Sequence, residues 1–213
     1  SRLDMDGVIR WEVMYINYGN ACYPSFSLQI SRIALGIEMK DMILFAGANV
    51  KLGSRFISTD LSGKTLINYI GRENSFPYKS ASDVINDKIS PEFFKDNIVL
   101  VGTSALATYD IKITPFSANM PGVEKNATVV QNILLNNFLK ASPGIIELLV
   151  IVFTGIFLGL IIPKLKAIAS SILAISFIVL YIFISSYLLI YHGLWLNLIY
   201  PVLNMFSIFA IQT

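Results

Sequence analysis

The chain has little with which to perform redox, metal or acid–base chemistry. Its 213 residues include one cysteine, Cys22, and one histidine, His192. A single cysteine excludes an intrachain disulfide and any thiolate cluster for a metal. The first 143 residues contain no histidine, so neither Cys22 nor a serine has an imidazole to activate it, and no hydrolytic triad can be assembled there. No Walker or GxGxxG pattern occurs, and no cofactor is expected. Charge is also scarce and balanced, at 16 Lys plus Arg against 14 Asp plus Glu. No basic run appears, which excludes a nucleic-acid surface. No internal repeat or low-complexity tract is present. The sequence starts at Ser1 without an apolar leader, and the expectation is of a middle piece whose N-terminal anchor and some domain elements are missing.

What the chain has in excess is apolar length. From Gly144 to Ile162, fourteen residues are Ile, Leu, Val or Phe, and the one charge is Glu147. About 20 apolar residues cross a hydrocarbon core of roughly 30 Å, and a carboxylate in the first helical turn suits the positive end of the helix dipole. Two further runs, Ala167 to Ile190 and Leu194 to Thr213, are read as a second and a third span. The weighed alternative is three buried helices of a soluble protein, but no polar residues alternate along them. The loop Pro163-Lys164-Leu165-Lys166 holds two lysines and the second hairpin none. The positive-inside rule then puts residues 1–141 outside the membrane and the C-terminus in the cytoplasm. Tyr187, Tyr191, Trp195 and Tyr200 cluster as an outer aromatic belt would, while Lys140 votes mildly against. Gly155 and Gly159 form a GxxxG that admits close helix packing, either within the chain or in a homodimer.

The first 141 residues read as an α/β domain, a mixed sheet with flanking helices. Ile9, Trp11, Val13 and Tyr15 alternate with polar neighbours, as in a half-buried strand. Pro24-Ser25 opens a helix with Phe26, Ile30, Ile33 and Ile37 on its inner face. Residues 42–45, 50–57 and 66–70 read as strands, and 80–85 and the Ser90-Pro91-Glu92 start as helices. The apolar run 98–101 reads as a parallel core strand buried on both faces. A helix from about 123 to 139, with Val123, Ala127, Val130, Leu134 and Phe138 inward, is expected to run almost directly into the first span.

Several strings in order resemble the CHASE2 domain, an extracytoplasmic sensor of bacterial membrane receptors. They are Asp4 to Arg10, Ile67 to Gly71, Phe76-Pro77 with Ser82-Asp83-Val84, Asn97 to Ser104, Asp110 with Thr114-Pro115, and Pro121-Gly122-Val123-Glu124. The resemblance covers the whole chain but only the C-terminal part of the usual domain. The family often has His two residues after the last Glu, and Asn126 stands there, so a response carried by that His would be lost. The resemblance implies a cytoplasmic output: a class III adenylate or guanylate cyclase before a histidine kinase, diguanylate cyclase or Ser/Thr kinase.

Gly102-Thr103-Ser104 follows the apolar run, where backbone N–H groups either cradle an anion or simply end a strand. Together with Asp110, Thr114 and Glu124 it makes the best ligand-binding set, for an unknown small-molecule or protein stimulus. Asp4 and Asp6 could join Asp110 on a cation, but turn aspartates more often bond their own backbone, and no metal is assigned. Asp6 with Arg10 is expected to form a buried structural ion pair. The leading reading is a sensor and relay working as a homodimer in the lipid bilayer. A membrane-anchored assembly module without output, and an external enzyme, are the alternatives.

Overall fold

The computed structural model describes residues 4–19, 21–45, 47, 49–104 and 110–212. They form two units, Ser1–Phe138 and Leu139–Thr213. The first unit is mixed α/β, with small sheets instead of one large one. Strand β1 (Trp11–Val13) pairs antiparallel with β7 (Lys64–Leu66). Strands β2 (Tyr15–Tyr18) and β3 (Ala21–Pro24) make a hairpin. β4 (Met42–Phe45), β5 (Asn49–Leu52) and β6 (Arg55–Ser58) form a meander, and β8 (Ile111–Lys112) pairs with β9 (Met120–Pro121). The expected strand 50–57 is thus two strands. Leu52 faces Arg55 across a two-residue turn in which Gly53 takes φ +60°, a conformation glycine adopts without a Cβ penalty.

Helix α1 (Phe26–Ala34) is capped by Ser25, whose Oγ accepts from Leu28 N at 3.2 Å. Its inner face differs from the expected one. Ser27, Leu28 and Ser31 are buried, whereas Phe26 and Ile33 are exposed. The small serines let α1 lie close to α3 (Gly122–Leu135), and that neighbour decides which side turns inward. The short α2 (Ala81–Ile85) lies on the surface, and Ser90-Pro91-Glu92 opens only a single 3-10 turn.

Residues 98–101 are not a buried strand. None of the sheets includes them, and Ile98, Val99 and Val101 are exposed. A strand needs a neighbour for its backbone N–H and C=O groups, and no described strand lies alongside this segment. Residues 105–109, which follow, lie outside the described residues.

The core gathers Ile9, Met14, Leu28, Val50, Leu52, Ile57, Ile67, Tyr69, Met120, Val129, Ile133 and Phe138. Each such side chain contributes about 1.5–3 kcal/mol when fully buried. Of the expected alternation around β1, Ile9 and Tyr15 are buried, but Glu12 and Met14 are buried as well. Glu12 is admitted because Lys125 of α3 meets it, Nζ to Oε2 at 2.8 Å, with both side chains about 95% buried, at 5% and 6% exposure. α3 buries Gly122, Glu124, Lys125, Thr128, Val129, Asn132 and Ile133. Of the face expected from periodicity, Val130 and Phe138 are buried, and Val123, Ala127 and Leu134 only half-buried. The helix also stops early: Asn136 takes the left-handed conformation at φ 52°, and its N–H bonds back to Ile133 O. It does not run into the next helix.

In the second unit, α4 (Gly144–Ile161) and α5 (Ala167–His192) are long and apolar enough to cross a membrane. Their apolar windows are only 17% buried, and so wide an exposed apolar surface suits lipid and not a soluble core. The third run is shorter than expected. Its helix, α6 (Ile199–Gln212), has 14 residues, about 21 Å at 1.5 Å per residue, less than a full span. Leu194–Trp195 instead form β11, paired parallel with β10 (Lys140–Ala141). Asn197 starts α6, its Oδ1 accepting from Ile199 N at 3.0 Å. Pro201 then falls in the first turn, where no intrahelical donor is needed.

Replacing Lys125 by Met leaves Glu12 buried and unpaired. The expected loss is about 3–5 kcal/mol of first-unit stability in chemical denaturation, largely recovered when Glu12→Leu is added.

Candidate functional site

The start of α3 brings several of the expected residues together. Gly102 lies against it so closely that an added Cβ would sit 2.6 Å from Val123 Cβ. The carboxylate of Asp110 covers Gly122, where an added Cβ would collide with both its oxygens. The Asp110 carbonyl accepts from Gly122 N at 2.8 Å, and its carboxylate pairs with Lys112 at 2.9 Å. Gly102, Asp110 and Glu124 therefore share one end of one helix.

Glu124 is occupied by its own chain. The residue is 2% exposed, and its carboxylate accepts from Asn74 N at 3.0 Å, Ser75 N at 2.7 Å and the Tyr78 hydroxyl at 2.9 Å. These three donors satisfy the charge and fasten segment 74–78 to the first turn of α3, where the helix dipole also favours a carboxylate. Burial, then the bond to Glu124, pushes the Tyr78 phenol up from its ordinary range. Asn74 holds φ 67°, as this tight turn requires.

The other positions behave differently. Thr114 is buried and closes a local turn: its Oγ1 accepts from Ser117 N at 3.1 Å and donates to Ser117 O at 3.1 Å. Thr103 is exposed, and Asn126 is half-buried on α3. Arg10 grips Asp6 with both terminal nitrogens, at 3.0 and 2.8 Å, and reaches Asp4 at 2.8 Å. This is not the buried pair expected, since Arg10 and Asp6 are 39% and 53% exposed. The arginine occupies both aspartates that a cation would need. Among the described residues no cluster of three or more metal-ligating side chains occurs.

Sequence reasoning missed three residues. Lys125 and Glu12 form the buried pair, and Asn132 exchanges hydrogen bonds with the backbone of Asn68, its Oδ1 accepting from Asn68 N at 2.9 Å and its Nδ2 donating to Asn68 O at 3.0 Å. Tyr69 then donates to Ile9 O at 3.0 Å, and burial followed by the nearby Glu12 charge raises its phenol pKa. The available signal was the spacing Glu124, Lys125, Thr128, Asn132, a polar stripe at helical period on one face.

Gly155 and Gly159 face α6 of the same chain. An added Cβ would meet Asn204 Nδ2 at 3.7 Å and Gln212 Nε2 at 3.8 Å, ordinary contact distances. Asn204 Nδ2 donates to Ile151 O at 3.1 Å and Thr154 Oγ1 at 3.2 Å, the kind of polar bridge that holds helices together in lipid. A cleft of about 250 Å³ on α4 is lined by Phe153, Ile156, Phe157, Leu160 and Ile161, none of them in the expected ligand set.

The family model of the CHASE2 domain matches residues 1–161, ending on the last residue of α4. No curated protein and no solved structure matches the chain.

Two outcomes follow from the geometry. Glu124→Ala orphans the amides of Asn74 and Ser75, whose hydrogen exchange is expected to rise by roughly 10–100-fold. The Asp6 carboxyl, held by Arg10 and by Val8 N, titrates at about 2 and not the ordinary 3.8. A depressed pKa stabilises the fold above the unfolded value, and that contribution is lost as pH falls from about 4 through about 2. In an NMR titration, Arg10→Gln should return Asp6 to the ordinary carboxylate range.

Proposed function

The chain belongs to the CHASE2 domain family of extracytoplasmic sensor domains, and from that premise we propose that it is the sensing and transmembrane relay part of a bacterial receptor. The output is a class III adenylate or guanylate cyclase. Residues 1–141 lie outside the plasma membrane, the chain crosses it more than once, and its C-terminus reaches the cytoplasm. The receptor works as a homodimer, in which a stimulus favours one of two arrangements and the second unit carries the difference inward.

The observation that carries this reading is the direction of α6. The hydrogen bonds Asn204 to Ile151 and Gln212 to Gly159 have the same sequence separation, 53 residues. α6 therefore runs parallel to α4, with Gln212 beside Gly159, close to the far end of α4 at Ile161. A third, shorter helix that follows the first to this depth supports delivery of the C-terminus to the side opposite the sensor. Lys164 and Lys166, between α4 and α5, support the orientation under the positive-inside rule.

The ligand set keeps Gly102, Thr103, Asp110 and Thr114. Glu124 contributes by holding segment 74–78 beside them, so a stimulus acting there moves α3 directly.

Two measurements test the reading. With Cys22→Ser, single cysteines at Lys64→Cys and Gln212→Cys should be labelled from opposite sides of the membrane; labelling from the same side ends the relay proposal. A cyclase joined after Thr213 should lose its regulated output when two residues are inserted at Ala141. Unchanged output would favour the assembly-module alternative.

A further inference from the structure

The segment between α3 and α4 is fastened to the start of the α5–α6 connection. Lys140 N donates to Gly193 O at 2.8 Å, and Ser142 N donates to Trp195 O at 2.9 Å. Between these bonds, Lys140 and Ala141 run in parallel register with Leu194 and Trp195. Parallel pairing without a long intervening sheet is weak per residue, so a ladder this short must be held by its flanks. One flank is Gly193, whose left-handed conformation at φ 61° ends α5 and turns the chain into β11. The other is Pro143 before α4, with Ser142 Oγ donating to Glu147 at 3.1 Å. Below the ladder, Tyr181 of α5 donates its hydroxyl to Asn197 O at 2.7 Å, fixing the chain just before α6 starts.

We propose that this ladder is a mechanical clasp that makes α6, together with α4, the recipient of any displacement imposed on the segment between α3 and α4. The inference rests on the relay reading but adds which helix carries the motion. Two side-chain ties join α4 to α6, Asn204 to Ile151 and Thr154 in the middle and Gln212 to Gly159 at the far end, and the ladder joins the residues before α4 to the connection that leads into α6. Among the described residues no hydrogen bond joins α5 to α4; Phe157 and Phe177 stack across them at 5.2 Å, an apolar contact that tolerates sliding. α4 and α6 move as one body, and α5 acts as the hinge arm that returns the chain to the clasp. The early end of α3 at Asn136 gives the clasp its purpose, because no continuous helix transmits rotation into α4.

The test uses the whole chain in lipid nanodiscs, carrying Cys22→Ser, Leu160→Cys and Ile211→Cys, which leaves the Gln212 tie in place. The only thiols then lie at the far ends of α4 and α6, and a short bismaleimide reports their register through the intrachain product. Ser142→Pro, which removes the N–H donated to Trp195, is expected to slow cross-linking about tenfold. Ser142→Ala, which keeps that N–H and loses only the bond to Glu147, should match the parent. Equal rates in the proline variant and the parent overturn the clasp. If the proline variant fails to assemble, hydrogen exchange on the unaltered chain decides instead. The Lys140 and Ser142 amides should exchange about tenfold more slowly than an open linker, and exchange at open-linker rates overturns the proposal. Neither readout needs a working output domain, so its failure leaves the sensor reading standing, whereas failure of the topology or cyclase tests leaves the hydrogen-bonded ladder in place and removes the relay role proposed for it.

Discussion

The contact between Lys125 and Glu12 fixes α3 against β1, and the polar structure of the first unit is arranged around that helix. Two opposite charges this deeply buried are tolerated only when they meet each other, because either alone would carry a desolvation cost of several kcal/mol. The pair therefore acts as a register pin. Once it is formed, Glu124 must lie under segment 74–78 and Asn132 must lie beside Asn68. Arg55 completes the set by donating to the Leu134 carbonyl at 3.2 Å, near the helix end.

This arrangement changes how the domain works as a sensor. The carboxylate that the sequence offered as a ligand group is consumed in holding a loop. What remains near the start of α3 is a set of close approaches, Gly102 to Val123 and Gly122 to Asp110, in which a small shift has nowhere to go except into the helix. Packed contacts of this kind respond by switching between arrangements, not by bending continuously.

The second unit solves a different problem. An interrupted helix cannot transmit twist, and residues 136–143 are interrupted by a left-handed asparagine, a strand and a proline. Backbone hydrogen bonds to Gly193 and Trp195 replace helical continuity with a lateral tie. Asn204 and the GxxxG face then extend the tie along α4, using the close approach that small residues allow and the strength of an amide bridge away from water.

Much of this was legible in the residues. The start of α1 at Ser25, the position of α3, the apolar lengths of α4 and α5 and the family strings all follow from local chemistry: turn residues, apolar period and run length act over a few positions. The partnerships did not follow. Periodicity placed Phe26 and Ile33 inside, but the serines of α1 won because α3 comes close on their side. A long apolar run suggested a third full span, but Leu194–Trp195 found a strand partner more than fifty residues away in sequence and shortened the helix to 199–212. Residues 98–101 read as a buried strand, yet a strand exists only where a neighbour accepts its backbone, and that is not written in the strand itself. The sequence by itself determined which segments could be helical, apolar or turned, because those are properties of a segment alone. Only the tertiary structure decided which buried charge meets which and where a helix must stop, because each depends on groups brought together from distant parts of the chain.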